Sequence, residues 1–193
     1  DFNGDGVDDF AILLRNDERS NDLNSEDFDV AENCQTREGD QGGVFIFLGG
    51  DRSGIGQRPA FAYWGGQRSL APEELVGVGD VNGDGFDDLV MGGFRWDDGA
   101  GDVGAFDVIG GRTASNDEKI QVICYPLFRQ IGTEAGGNLG NAVTPLGDFD
   151  GDGCSDFAVA AEGENAALPL AKPCSKSSLT DAELSILDEL ITS

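Results

Sequence analysis

One nine-residue pattern constrains this chain more than any other feature: Asp, any residue, Asn or Asp, Gly, Asp, Gly, two variable residues, Asp. It begins at Asp1, Asp80 and Asp148 and aligns without gaps in all three copies. The period of roughly 70 to 80 residues is too long for a turn of a solenoid and suits one blade of a propeller. Each copy is followed at once by an apolar run, starting at Phe10, Leu89 and Phe157, and the second and third are also preceded by one, at 75–79 and 142–147. The loop therefore joins two strands of a hairpin, and short apolar runs between Gly-rich turns predict an all-β chain. Further strands are expected at 43–48 and 104–109, each closed by a Gly-Gly pair, with 60–64 and 120–125 as fourth strands.

Within each loop, positions 1, 3, 5 and 9 carry side-chain oxygens, and position 7 can offer its backbone carbonyl. The candidate ligands are Asp1, Asn3, Asp5, Val7 and Asp9; Asp80, Asn82, Asp84, Phe86 and Asp88; and Asp148, Asp150, Asp152, Cys154 and Asp156. A calcium ion takes six to eight hard oxygens in a compact cage. Glycine at position 6 permits the sharp turn that gathers them. Without a cation the carboxylates repel, each close pair by roughly 4 kcal/mol at an effective dielectric of about 20. Two or three calcium ions are expected, and magnesium, with its stricter octahedron, is disfavoured. Position 12 is Ile12, Met91 or Val159, where an EF-hand needs a bidentate carboxylate, so EF-hand and dockerin-type loops are excluded. Thrombospondin type 3 repeats are excluded by the long apolar stretches between copies.

Charge points the same way. With 37 acidic against 12 basic residues the chain has a formal net charge of -25, a surface that repels nucleic acid and anionic membranes. No run reaches the roughly 18 apolar residues of a membrane span, so the chain reads as soluble. It contains no histidine, and neither a GxSxG elbow nor a P-loop, which removes the common hydrolytic and phosphoryl-transfer constellations. The expectation is a non-enzyme. Cys34, Cys124, Cys154 and Cys174 lack zinc-site or redox spacing and are expected in disulfides of an oxidising compartment, with three pairings open.

The run Leu75-Val76-Gly77-Val78-Gly79, the loop at 80–88 and Leu89-Val90-Met91-Gly92 together resemble an FG-GAP repeat of integrin α-subunit propellers, as does the segment from Leu139-Gly140-Asn141-Ala142-Val143 to Ala160. The resemblance implies an incomplete β-propeller whose hairpin loops hold calcium through positions 1, 3, 5, 7 and 9. It implies a secreted or cell-surface adhesion, binding or assembly module whose partner is a protein or glycan of the cell surface or matrix. The alternatives are the non-catalytic propeller part of a secreted hydrolase and a structural subunit of a surface layer or filament. Such propellers have seven blades and this chain about two complete units. It is therefore expected to be a piece of a longer protein, or to self-associate through open sheet edges. The first site is expected to be weakened by the α-amino charge at Asp1.

The domain reading places the β repeats at 1–175, interrupted by a solvated acidic insertion at 16–41, and an amphipathic helical tail at 176–193 opened by the capping box Thr180-Asp181-Ala182-Glu183. Tyr63, Trp64 and Trp96 are noted both as candidate sugar-stacking aromatics and as blade-packing core.

Overall fold

The computed structural model describes residues 1–15, 26–31, 42–50, 58–64, 72–93, 95–96, 101–115 and 119–162. All regular structure among them is β, in eleven strands: β1 (Phe10–Leu14), β2 (Phe28–Asp29), β3 (Gly43–Phe47), β4 (Phe61–Trp64), β5 (Glu74–Gly79), β6 (Asp88–Gly93), β7 (Ala105–Ile109), β8 (Ile120–Ile123), β9 (Phe128–Ile131), β10 (Leu139–Gly147) and β11 (Asp156–Ala161). They form three sheets, ordered β1-β3-β4-β8-β2, β5-β6-β7-β9 and β10-β11. The architecture is a partial β-propeller, in which the second sheet is a whole four-stranded antiparallel blade.

Strand alternation explains how the sheets stack. Successive side chains leave a strand on opposite faces, so Ala105, Asp107 and Ile109 of β7 face one way, and Phe106 and Val108 the other. The first face joins Val44, Ile46, Phe61, Tyr63, Met91 and Ile123 in a core between the first and second sheets. The second joins Val78, Val90, Leu139, Val143 and Phe157 in a core between the second and third. The third sheet comes in very close: a Cβ at Gly92 would lie 2.3 Å from the carbonyl oxygen of Gly140, and one at Gly140 would lie 2.4 Å from that of Ala105. Only glycine lets the two backbones approach this far.

The structure revises the fourth-strand assignment for the second unit. Residues 60–64 supply the expected strand β4, but Ile120–Ile123 pairs parallel to β4 in the first sheet. The fourth strand of the second sheet is β9, antiparallel to β7. Its sequence Phe128-Arg129-Gln130-Ile131 lacked an apolar signature because Arg129 is held by Asp107 on the neighbouring strand.

Of the acidic insertion, residues 26–31 are described. Phe28–Asp29 forms a short strand parallel to β8, and Phe28 and Val30 pack against Phe45, Ala62, Trp64 and Ile120 on the outer face of the first sheet. This part of the insertion is docked rather than freely solvated. The helix expected near the C-terminus lies outside the described residues. Cys124 and Cys154 are both disulfide-bonded. No helix of the described residues is long and apolar enough to cross a membrane.

Candidate metal centre

The three acidic loops lie where the repeat places them, ahead of β1, between β5 and β6, and between β10 and β11. Their internal wiring is nearly the same. The position-1 carboxylate accepts the N–H of the position-6 glycine: Gly6 to Asp1 at 2.8 Å, Gly85 to Asp80 at 2.8 Å, Gly153 to Asp148 at 3.1 Å. The position-3 side chain accepts the N–H of position 5, at 3.0 Å for Asn3, 2.8 Å for Asn82 and 3.1 Å for Asp150. The position-5 carboxylate accepts the N–H of position 7, from Val7 to Asp5, Phe86 to Asp84 and Cys154 to Asp152. These bonds wind the backbone around one centre, and they require φ of 85°, 92° and 88° at Gly6, Gly85 and Gly153. An L side chain there would be strained.

Position 9 closes the loop on its hairpin. Asp9 accepts from the N–H of Asn3 and Asp88 from that of Val81, while Asp156 accepts from Phe149 and Asp150. In the first two loops the other carboxylate oxygen takes the N–H of a glycine in the Gly-Gly turn that follows the third strand, Gly49 to Asp9 and Gly111 to Asp88, each at 2.8 Å. Sequence reading registered those glycine pairs as turns and missed this second role. Their recurrence at the same place in both units was the available signal.

Asp88 is fully buried. Burial pushes its carboxyl up to about 7, against the two backbone N–H groups that favour the charged form, and the charges of Asp84 and Asp80 push further up. Asp156 is raised too, chiefly by burial, against the N–H groups of Phe149 and Asp150 that favour the charged form, and the charges of Asp150 and Asp152 add a smaller push upward. In both residues burial is the main cause, and the neighbouring acidic charges act in the same direction.

In the third loop Asp148, Asp150 and Asp156 bring carboxylate oxygens within 4.8 Å of one another. Hard oxygens at that separation fit a divalent cation of the calcium type. In the first and second loops position 3 is an asparagine whose amide donates to the position-5 carboxylate at 2.9 Å, from Asn3 to Asp5 and Asn82 to Asp84. The α-amino group of Asp1 pairs at 2.9 Å with Asp87 of the second loop.

Position 2 plays no part in the cage but anchors the loop. Phe2 and Val81 are buried, Phe2 edge-on to Phe61 at 5.5 Å, whereas Phe149 is 56% exposed. Tyr63, Trp64 and Trp96 are buried, so of the two readings the packing one holds, and none offers a face for a sugar.

The FG-GAP repeat family matches residues 139–172, which takes in the third hairpin. Integrin alpha-IIb of Mus musculus and integrin alpha-IIb of Homo sapiens are each 36% identical to the chain over 86 residues. That stretch is 45% of this chain and 8% of either relative, so the chain spans a small part of their length. Three loops of one geometry, two of them set in hairpins, a whole four-stranded blade and these likenesses agree: residues 139–172 match an FG-GAP repeat, and the chain is similar to integrin α-subunits over the stretch they share.

Proposed function

We propose that this chain is a calcium-dependent, extracellular adhesion or binding module without catalytic activity of its own. Positions 1, 3, 5 and 9 of the loops at 1–9, 80–88 and 148–156 supply side-chain oxygens, and Val7, Phe86 and Cys154 their carbonyls, to two or three calcium ions. The observation that carries this reading is the convergence of Asp148, Asp150 and Asp156, set in a loop whose wiring recurs twice more. The ion offsets the mutual repulsion of the carboxylates and ties together the two strands of each hairpin. Because it binds the folded hairpin and not the open chain, each site adds on the order of 2.7 kcal/mol when free calcium is about a hundredfold above its dissociation constant.

The partner is a protein or glycan of the cell surface or matrix, a reading supported by the likeness to integrin α-subunits. The net charge of -25 argues against nucleic acid. Disulfide-bonded Cys124 and Cys154 favour an oxidising compartment.

Calorimetric titration with calcium chloride, beside thermal unfolding in calcium and in chelator, tests the metal. Heat with a stoichiometry of two or three and a higher melting temperature in calcium are expected; no heat and an unchanged melting temperature would sink the proposal. Capture on glycan and matrix-protein arrays with and without chelator tests the partner, and turnover of a sugar or lipid in a hydrolase panel would replace the binding-module reading by an enzymatic one.

A further inference from the structure

Adjacent loops are bonded to each other. The carbonyl oxygen of Asp1, position 1 of the first loop, accepts the N–H of Asp87, position 8 of the second, at 3.1 Å; the carbonyl oxygen of Asp80, position 1 of the second loop, accepts the N–H of Ser155, position 8 of the third, at 2.7 Å. The same link is thus made twice between equivalent positions. Around it the loops are in close contact. A Cβ on Gly4 would lie 2.9 Å from the ring of Phe86, one on Gly79 would lie 2.4 Å from Oγ of Ser155, and Arg112 donates its N–H to the carbonyl of Phe2 at 2.9 Å.

The position-8 N–H shares a peptide plane with the position-7 carbonyl. In a trans peptide, the only form among the described residues, the two point in opposite directions. One rigid unit therefore turns its N–H to the preceding loop and its carbonyl away from it. Under the calcium reading above, on which this step rests, that carbonyl is the backbone ligand of its own loop. Drawing Phe86 O or Cys154 O inward aims Asp87 N–H or Ser155 N–H outward, and polarising the carbonyl strengthens the donor on its far side. The acceptor belongs to the residue whose carboxylate organises the preceding loop, through Gly6 and Asp5 at Asp1, and through Gly83, Asp84 and Gly85 at Asp80.

We infer that the peptide planes 86–87 and 154–155 couple neighbouring loops, so that calcium held in one raises the affinity of the next and the array fills cooperatively. The coupling is reciprocal between the two members of a pair and is stronger between linked loops than between the first and third.

The position-6 glycines give each loop its own reporter. The full chain, labelled with 15N-glycine, is titrated with calcium chloride while the amides of Gly6, Gly85 and Gly153 are followed by NMR. In the unaltered protein the Gly85 and Gly153 curves should be steeper than a single-site isotherm. Asp150→Ala, which disables the third loop, should raise the midpoint at Gly85 by about five-fold or more, in the usual range of site-to-site coupling, and move Gly6 less. Ser155→Pro, which removes the linking N–H and leaves every carboxylate, should return the Gly85 curve to a single-site shape. Simple isotherms in the unaltered protein, a measurement that needs no variant, would overturn the coupling while leaving the cation sites standing. So would a Gly85 midpoint unmoved by Asp150→Ala or lowered by it. Glycine amides that ignore calcium altogether would remove the sites themselves.

Discussion

The joint between the first and second sheets has charge at its centre, while the joint between the second and third is filled by apolar side chains. At the first, Asp107 is fully buried in β7, accepts the hydroxyl proton of Tyr63 from β4 at 2.6 Å and is gripped by Arg129 of β9 through two donors at 2.5 Å. The guanidinium also lies 5.3 Å from the centre of the Trp96 ring. At the second, Phe106 meets Phe157 edge-on at 5.9 Å amid Val78, Val81, Val108 and Leu139. Apolar burial is nondirectional and tolerates sliding. A three-membered polar network has one geometry that satisfies it and a steep cost elsewhere. The first joint is thereby set in register, and the second relies on shape and on the close glycine backbones of Gly92 and Gly140.

Arg129→Ala should have the largest effect, about 3–5 kcal/mol in urea denaturation, because it strands the Asp107 charge in a dry interior. A loss under about 1 kcal/mol would erase the distinction between the joints. Phe157→Ala should cost about 3 kcal/mol through the cavity it leaves. The apolar joint then answers to volume where the polar one answers to charge.

The loop beside the second joint adds a pH effect. The Asp88 carboxyl is raised by burial from 3.8 in the open chain to about 7, so between those values the folded state holds the proton and the unfolded state does not. Stability in chelator should accordingly fall as pH climbs from about 4 to about 7, by roughly 4 kcal/mol at most. Asp88→Asn should flatten the slope in the same titration. Tyr63→Phe should have the smallest effect, about 1 kcal/mol, since Asp107 keeps both donors of Arg129.

What could be read from the chain alone follows from the range of the interactions concerned. The loops were legible because their wiring is local: Asp80 meets the N–H groups of Gly83, Asp84 and Gly85, all within five residues. Strands β1, β6 and β11 were legible because each follows its loop directly. The partner of a strand is another matter. Ile120–Ile123 is as apolar as any fourth strand, and nothing within it says that its neighbour is β4 and the pairing parallel. The Asp107–Arg129 pair was hidden for a related reason. A charge in a strand marks it as exposed until the compensating charge on the next strand is known.

The crossover of β8 also bears on how this protein can be cut. In an ideal repeat array each unit owns its strands and touches its neighbours only through side chains. Here a strand that lies in sequence between β7 and β9 of the second sheet completes the hydrogen bonding of the first. Excision or duplication at the motif boundary would divorce β4 from its outer partner. A shuffling experiment that respects the fold has to place its cut after Ile131, the end of β9, and carry both sheets as one piece.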